Sequence, residues 1–181
     1  MKKLFSTTLF LLSILLTTNL YSQTIGQDTT SLKYYLSEED SALNIRDAYT
    51  SLESKLLQDI KWLNDTPVKK DKETRDEKAR FVLMWMSGSP TVYIQMDNRI
   101  VTFLDADPSI LMAYMMGWTK YTIENNYSDD AIQNTVAGIT NTVNFYTKNR
   151  KSFQKNTELE NYKKMIEEGT LTRYVADVLT K

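Results

Sequence analysis

The sequence predicts a mainly α fold, an irregular bundle of five or six helices, with a short β-hairpin around residues 92–104. Three observations carry this. Ile45, Tyr49, Leu52, Leu56, Ile60 and Leu63 recur at spacings of three and four, as do Ile132, Val136, Ile139, Val143 and Tyr146. Each series draws one apolar stripe along a helix. Ile110 to Trp118 is apolar around nearly its whole circumference, the pattern of a helix in the middle of a bundle. Capping and breaking residues bound these stretches, so each segment can be read as one element.

The first helix is predicted from Ser37, with Glu38, Glu39 and Asp40 facing the dipole of its first turn, through Leu63. Asn64-Asp65-Thr66-Pro67 stops it, because proline cannot continue a helix and disfavours the α region at Thr66. Lys69 to Arg80 is almost wholly charged, with mixed signs. Asp71 with Arg75 and Asp76 with Arg80 are acid-before-base pairs at i,i+4, so a second helix begins here. Because the signs cancel, a solvated helix start is the better reading of this run than a docking surface. Ala79, Val82, Leu83, Trp85 and Met86 follow, and Gly88-Ser89-Pro90 ends the helix.

Thr91 to Leu104 changes period. Val92, Ile94 and Met96 alternate with Tyr93 and Gln95, Asp97-Asn98 suits a two-residue turn, and Ile100 to Phe103 is β-branched and aromatic. A hairpin is the first reading. An irregular loop with one helical turn near Val101 is the alternative.

Asp107 as cap and Pro108 at the first helical position start the third helix, which runs through Tyr121 to Asn125-Asn126. Ser128-Asp129-Asp130 caps a fourth. Thr157-Glu158 starts a fifth that ends at Gly169, and Thr170 caps a short sixth from Leu171 to Leu179. Gly117 and Gly138 sit inside the third and fourth helices, each costing about 1 kcal/mol against alanine. Close approach of another backbone would justify that cost, so these two helices are predicted to cross tightly there.

Met1-Lys2-Lys3, an uncharged run from Leu4 to Leu16, and a small residue at Ser22 are the three parts of a secretory signal. The run is short of the ~20 residues that span a bilayer. The expected organisation is a signal peptide at 1–22, a flexible leader at 23–36 and one helical domain at 37–181. The expected location is periplasmic or secreted, with no membrane anchor once the signal is cleaved. Removing residues 1–22 leaves 159 residues with 20 bases and 23 acids, a net charge of −3. No basic excess is present to bind nucleic acid by counterion release.

The chain contains neither cysteine nor histidine. That removes disulfides, thiol nucleophiles, histidine-based triads and the usual zinc, haem and iron–sulfur ligand sets. No glycine-rich phosphate loop and no calcium loop occurs, and no cofactor or metal is expected. Asp105 and Asp107 are the candidate catalytic pair, two acids at a helix start, although capping accounts fully for one of them. Methionines cluster at Met84 and Met86 and at Met112, Met115 and Met116, where core packing outweighs thioether binding of Cu(I). Tyr114, Trp118 and Tyr121 share one side of the third helix and, with Trp85, are the candidate lining of a groove. Burial of all three of Tyr114, Trp118 and Tyr121 beneath other helices would remove the support for that reading.

Trp62-Leu63-Asn64-Asp65-Thr66-Pro67-Val68, the Ser87-Gly88-Ser89-Pro90 turn and Gly117-Trp118-Thr119-Lys120-Tyr121 together resemble small exported helical proteins of uncharacterised function from flavobacteria and related Bacteroidota. The resemblance implies export and a helical domain, and it brings no catalytic residues to transfer. The functional expectation is a non-catalytic protein that binds a partner protein or a small apolar or sugar-like ligand of the cell envelope. The alternatives are a carboxylate hydrolase acting on envelope polymer through Asp105 and Asp107, and a structural or assembly component without ligand.

Overall fold

The structure is a computed structural model that describes residues 34–36, 43–103 and 107–181. Its described part is helical: α1 (Ile45–Ser51), α2 (Glu53–Asp65), α3 (Lys72–Gly88), α4 (Pro108–Glu124), α5 (Ala131–Lys148), α6 (Thr157–Glu167) and α7 (Leu171–Leu179), with a short 3-10 turn at Arg150–Ser152. The signal, nearly all of the leader and the Ser37 helix start lie outside the described residues.

The predicted first helix is divided at Leu52, which raises six helices to seven. Within the described residues the cap is Asn44, whose side chain accepts the Asp47 N–H at 3.1 Å. Ser51 turns its hydroxyl back onto the Ala48 carbonyl, a bond that loosens a helix at that turn. The stripe is nevertheless continuous: Tyr49, Leu52, Leu56, Ile60 and Leu63 are all buried.

The charge run before α3 is partly structural. Most of it is exposed, but Arg75 and Lys78 are not. Arg75 does not pair with Asp71; its guanidinium donates to the Leu63 and Thr66 carbonyls and so caps the end of α2. Lys78 and Lys55 both bind Asp59, a buried carboxylate on α2, Lys55 at 2.5 Å. A carboxylate taken from water needs this pairing. The two helices are thus joined by ion pairs as well as by Leu56, Ile60, Phe81 and Trp85.

α4 and α5 form the most extensive helix pair, and α5 also packs on α6 and α7. Asp107 caps α4 by accepting the Ser109 N–H at 2.9 Å, with Pro108 as the first helical residue. Asp130 caps α5 by accepting the Ile132 and Gln133 N–H groups. The tight crossing falls where the glycines place it. A Cβ on Gly117 would lie 2.7 Å from the Ala137 carbonyl oxygen and 3.0 Å from the Gly138 Cα, and one on Gly138 would lie 2.6 Å from the Tyr114 ring. The buried face of α5 is rotated from the predicted stripe. Ile139, Val143 and Tyr146 are buried, Ile132 and Val136 are at the margin, and Thr135 and Thr142 are inside. Small and hydroxyl residues win those positions because a closely approaching helix leaves no room for bulkier ones.

The described residues contain no β-strand: of the two readings for this segment, the irregular loop with one turn near Val101 is the one that forms, and the hairpin does not. Val92 to Asp97 runs without bend, turn or helix, and Asp97 then begins a single turn in which its carbonyl accepts from Ile100 and Val101. Ile100, Val101 and Phe103 are buried. The second half of the predicted hairpin goes into the helical core, where its apolar area is covered, and leaves the first half unpaired.

Candidate binding cleft

The segment after α3 has no regular structure, and four helix-borne or local groups hold it in place. The Tyr114 hydroxyl of α4 donates to the Gln95 carbonyl at 3.0 Å. The Tyr162 hydroxyl of α6 donates to the Ile100 carbonyl at 2.6 Å. Between them the Arg99 guanidinium clamps the Asp97 carboxylate through Nη2 at 2.7 Å and Nε at 3.0 Å. That clamp holds the Asp97 carboxyl well below the usual carboxylate range, at about 2. At the start, the Ser89 hydroxyl accepts the Thr91 and Val92 N–H groups.

Burial raises the hydroxyls that do the pinning, Tyr162 upward and Tyr114 to about 12. A free tyrosine titrates near ~10. The folded state therefore holds the Tyr114 proton more tightly than the unfolded chain. Its contribution is complete below pH ~10 and is lost as pH rises through about 12, a drop of about 2–3 kcal/mol. Unfolding free energy is expected to fall steeply across that window. Tyr114→Phe should flatten the fall and cost about 1–2 kcal/mol at neutral pH, because the Gln95 carbonyl loses its donor. Urea unfolding from pH 8 to 12 checks this, and identical alkaline profiles for the two proteins would contradict it.

What the pinned segment displays is apolar. Tyr93 is 74% exposed and Met96 48%. Between this segment and the end of α3 lies a cleft of about 490 Å³, lined by Leu83, Met86, Val92, Tyr93, Ile94 and Met115 together with Ser87 to Pro90. Four other clefts on the described surface each carry a charged lining side chain, and this one carries none. Leu83 on its rim is 40% exposed, and the Tyr93 hydroxyl donates to the Pro90 carbonyl, which folds the ring along the opening.

The residues singled out from the sequence fall elsewhere. Trp85, Tyr114 and Trp118 are among the largest fully buried side chains, so they are core residues and not a groove lining. Trp85 donates its indole N–H to the Tyr49 carbonyl at 3.0 Å, and Tyr114 and Trp118 pack with ring centres 6.1 Å apart. An aromatic face on the central helix of a bundle is covered from several sides, which corrects the groove reading. Tyr121 alone of the four is partly exposed, in a separate groove of mixed lining beside Lys120, Glu124, Gln133, Val136 and Ala137. Asp107 is exposed and engaged as a cap, at the edge of a cleft of about 500 Å³ that also takes in Phe103, Tyr146, Phe153 and Lys155. Asp105 lies outside the described residues.

The sequence did signal this cleft, although for another purpose. The alternation from Val92 to Met96 is legible as a strand, and two of its positions, Tyr93 and Met96, are among the exposed apolar residues. Met86 and Met115 come from two separate methionine clusters and meet only through packing of α3 and α4, which no local pattern announces. Among the described residues there is no group of acidic side chains that could hold a metal ion, and no helix long and apolar enough to cross a membrane. No protein-family model matches the chain, and no curated protein or solved structure matches it either.

Proposed function

We propose that the chain is an exported, non-catalytic binding protein of the cell envelope, periplasmic or secreted, and that it receives apolar side chains of a partner in the Leu83–Met86–Tyr93–Ile94–Met115 cleft. The supporting observation is the combination of an uncharged cleft with a loop fixed from behind by Tyr114 and Tyr162. Loops held on a rigid scaffold are where binding residues concentrate, because ordering them costs nothing further at the moment of contact. Methionine suits such a surface, since its unbranched thioether adapts to different partner shapes. Export rests on the Met1-to-Ser22 signal pattern.

A photo-crosslinking amino acid placed at position 93, compared with one at the exposed position 173 on α7, tests the binding reading in the producing cell. Adducts are expected at position 93 only, and Leu83→Asp should remove them. Equal labelling at both positions, or labelling at 93 that survives Leu83→Asp, would overturn it. Mass spectrometry of the purified chain tests export: the expected N-terminus lies near Gln23, and an intact Met1 in the membrane fraction would contradict it.

A further inference from the structure

Within Lys69 to Arg80 the charges cancel, but the fold sets the start of that run beside a second basic stretch. The Val68 N–H donates to the Asn149 side chain at 2.9 Å, and Lys148 reaches Asp65 at 3.2 Å. These contacts join the end of α2 and the loop after it to the end of α5. Residues 61–70 and 148–155 together hold seven basic side chains and one carboxylate, Asp65. Lys61 and Lys148 both bind Asp65 and hold its carboxyl below the usual carboxylate range. Lys69, Lys70 and Lys151 are exposed and have no ion pair among the described residues. The patch ends where α3 and α6 start, at Asp71 and Glu73 on one side and at Glu158 and Glu160 on the other. The net charge of −3 expected for the mature chain does not cancel it. The 18 residues of α5 extend about 27 Å, which puts Asp129 and Asp130 at the opposite end. Exposed charges are screened over about 10 Å at 0.1 M salt, so those acids hardly reach the lysines.

We propose that this end of the bundle is an electrostatic docking surface for an anionic lipid bilayer, on which Lys61, Lys69, Lys70, Lys148 and Lys151 meet the phosphate headgroups. The chemistry of the patch selects a broad anionic surface. Its one arginine, Arg150, is taken by Glu160 and by the Phe153 carbonyl, so it offers no guanidinium fork to a single defined phosphate. Trp62 and Phe153 pack against the core, so nucleic-acid bases find no ring to stack on. None of the five lysines lines any of the clefts described above, so they protrude instead of enclosing a strand. The five lysines less Asp65 leave four net charges, which should give half-binding at an accessible lipid concentration on the order of 1 mM. The proposal does not depend on the apolar cleft, but it orients it. The 17 residues of α3 span about 26 Å from Lys72 beside the patch to Gly88 at the cleft, so a chain seated on its lysines turns the cleft away from the bilayer.

Flotation of the chain from Gln23 onward, which contains every described residue, with vesicles of equal parts phosphatidylcholine and phosphatidylglycerol tests this. Binding is expected at ~0.1 M salt and should be lost at ~1 M, where the screening length falls to about 3 Å. No binding is expected to vesicles of phosphatidylcholine alone. Lys69→Glu/Lys70→Glu/Lys151→Glu changes three exposed side chains and should weaken binding by about tenfold or more, with an unchanged far-UV spectrum. Lys163→Glu/Lys164→Glu/Arg173→Glu alters the net charge equally on α6 and α7, away from the patch, and should leave binding within about twofold. Failure to bind the anionic vesicles, equal binding to neutral ones, or equal loss in the two triple variants would overturn the proposal. Retention on immobilised dextran sulfate without vesicle binding would also overturn it, by assigning the lysines to a soluble polyanion.

Discussion

Trp85→Ala is expected to remove about 4–5 kcal/mol of stability. Truncating a buried tryptophan typically costs about 3–5 kcal/mol through lost transfer energy and the cavity left behind. Here the indole is fully buried against Tyr49, with ring centres 5.6 Å apart, and its N–H satisfies the Tyr49 carbonyl. That carbonyl stands at the α1–α2 junction, where the helix ladder is already interrupted at Leu52. A domain of this size has a total stability of about 5–15 kcal/mol, so the variant should lie close to the unfolding threshold. The midpoint should fall by roughly 15 °C, at about 2–4 °C per kcal/mol. Thermal and urea unfolding measure this. A loss below about 1 kcal/mol would place Trp85 outside the core and reopen the aromatic groove that the structure closes.

Gly117→Ala should destabilise the protein by about 3 kcal/mol, against the usual sign for a helix interior. Alanine in place of an unconstrained helical glycine gains about 1 kcal/mol. At this crossing the added methyl meets the Ala137 carbonyl oxygen at 2.7 Å and the Asn141 Cβ at 2.5 Å, and a backbone atom cannot swing aside. Overpacking of this kind costs about 1–3 kcal/mol from strain alone. Forcing the helices apart also disturbs Asn141, whose amide donates to the Ala113 carbonyl at 2.7 Å and pairs with Asn64. Each such bond is worth about 1 kcal/mol. The melting midpoint should drop by roughly 10 °C. Gly169→Ala is the informative comparison: that residue lies at φ 68° with open space around it, so only left-handed strain of about 1–2 kcal/mol is at stake. A Gly117→Ala protein as stable as the wild type would mean that α4 and α5 cross with room for a methyl group between them.

How far the sequence could be read follows from which forces are local. Caps are local, and Asp107, Pro108 and Asp130 do what their types and positions require. The crossing at Gly117 and Gly138 was legible because glycine weakens a helix interior, a cost that close approach of a second backbone offsets. Asp59 was invisible: a carboxylate on an apolar face looks like a surface residue until Lys55 and Lys78 are seen to close on it. The aromatic run of α4 misled for a related reason. Helical spacing shows which rings share a side but not whether another helix covers that side, and for Tyr114 and Trp118 α5 and its neighbours do. The Val92–Met96 alternation gave a correct local preference without its tertiary outcome. The residues that should have paired with it gained more by entering the helical core, as Ile100, Val101 and Phe103 do. A strand-like sequence was thus left extended and fixed in place.

The cleft requires that segment to be rigid although it lacks secondary structure. Backbone 15N relaxation with amide exchange tests this most directly. Ile94, Gln95 and Met96 are expected to show order parameters near ~0.85, equal to those of α3 and α4, while the Ile94 and Met96 amides exchange as fast as unprotected groups. Order parameters below about 0.6 for these residues would contradict it, because a segment that mobile would present no formed cleft.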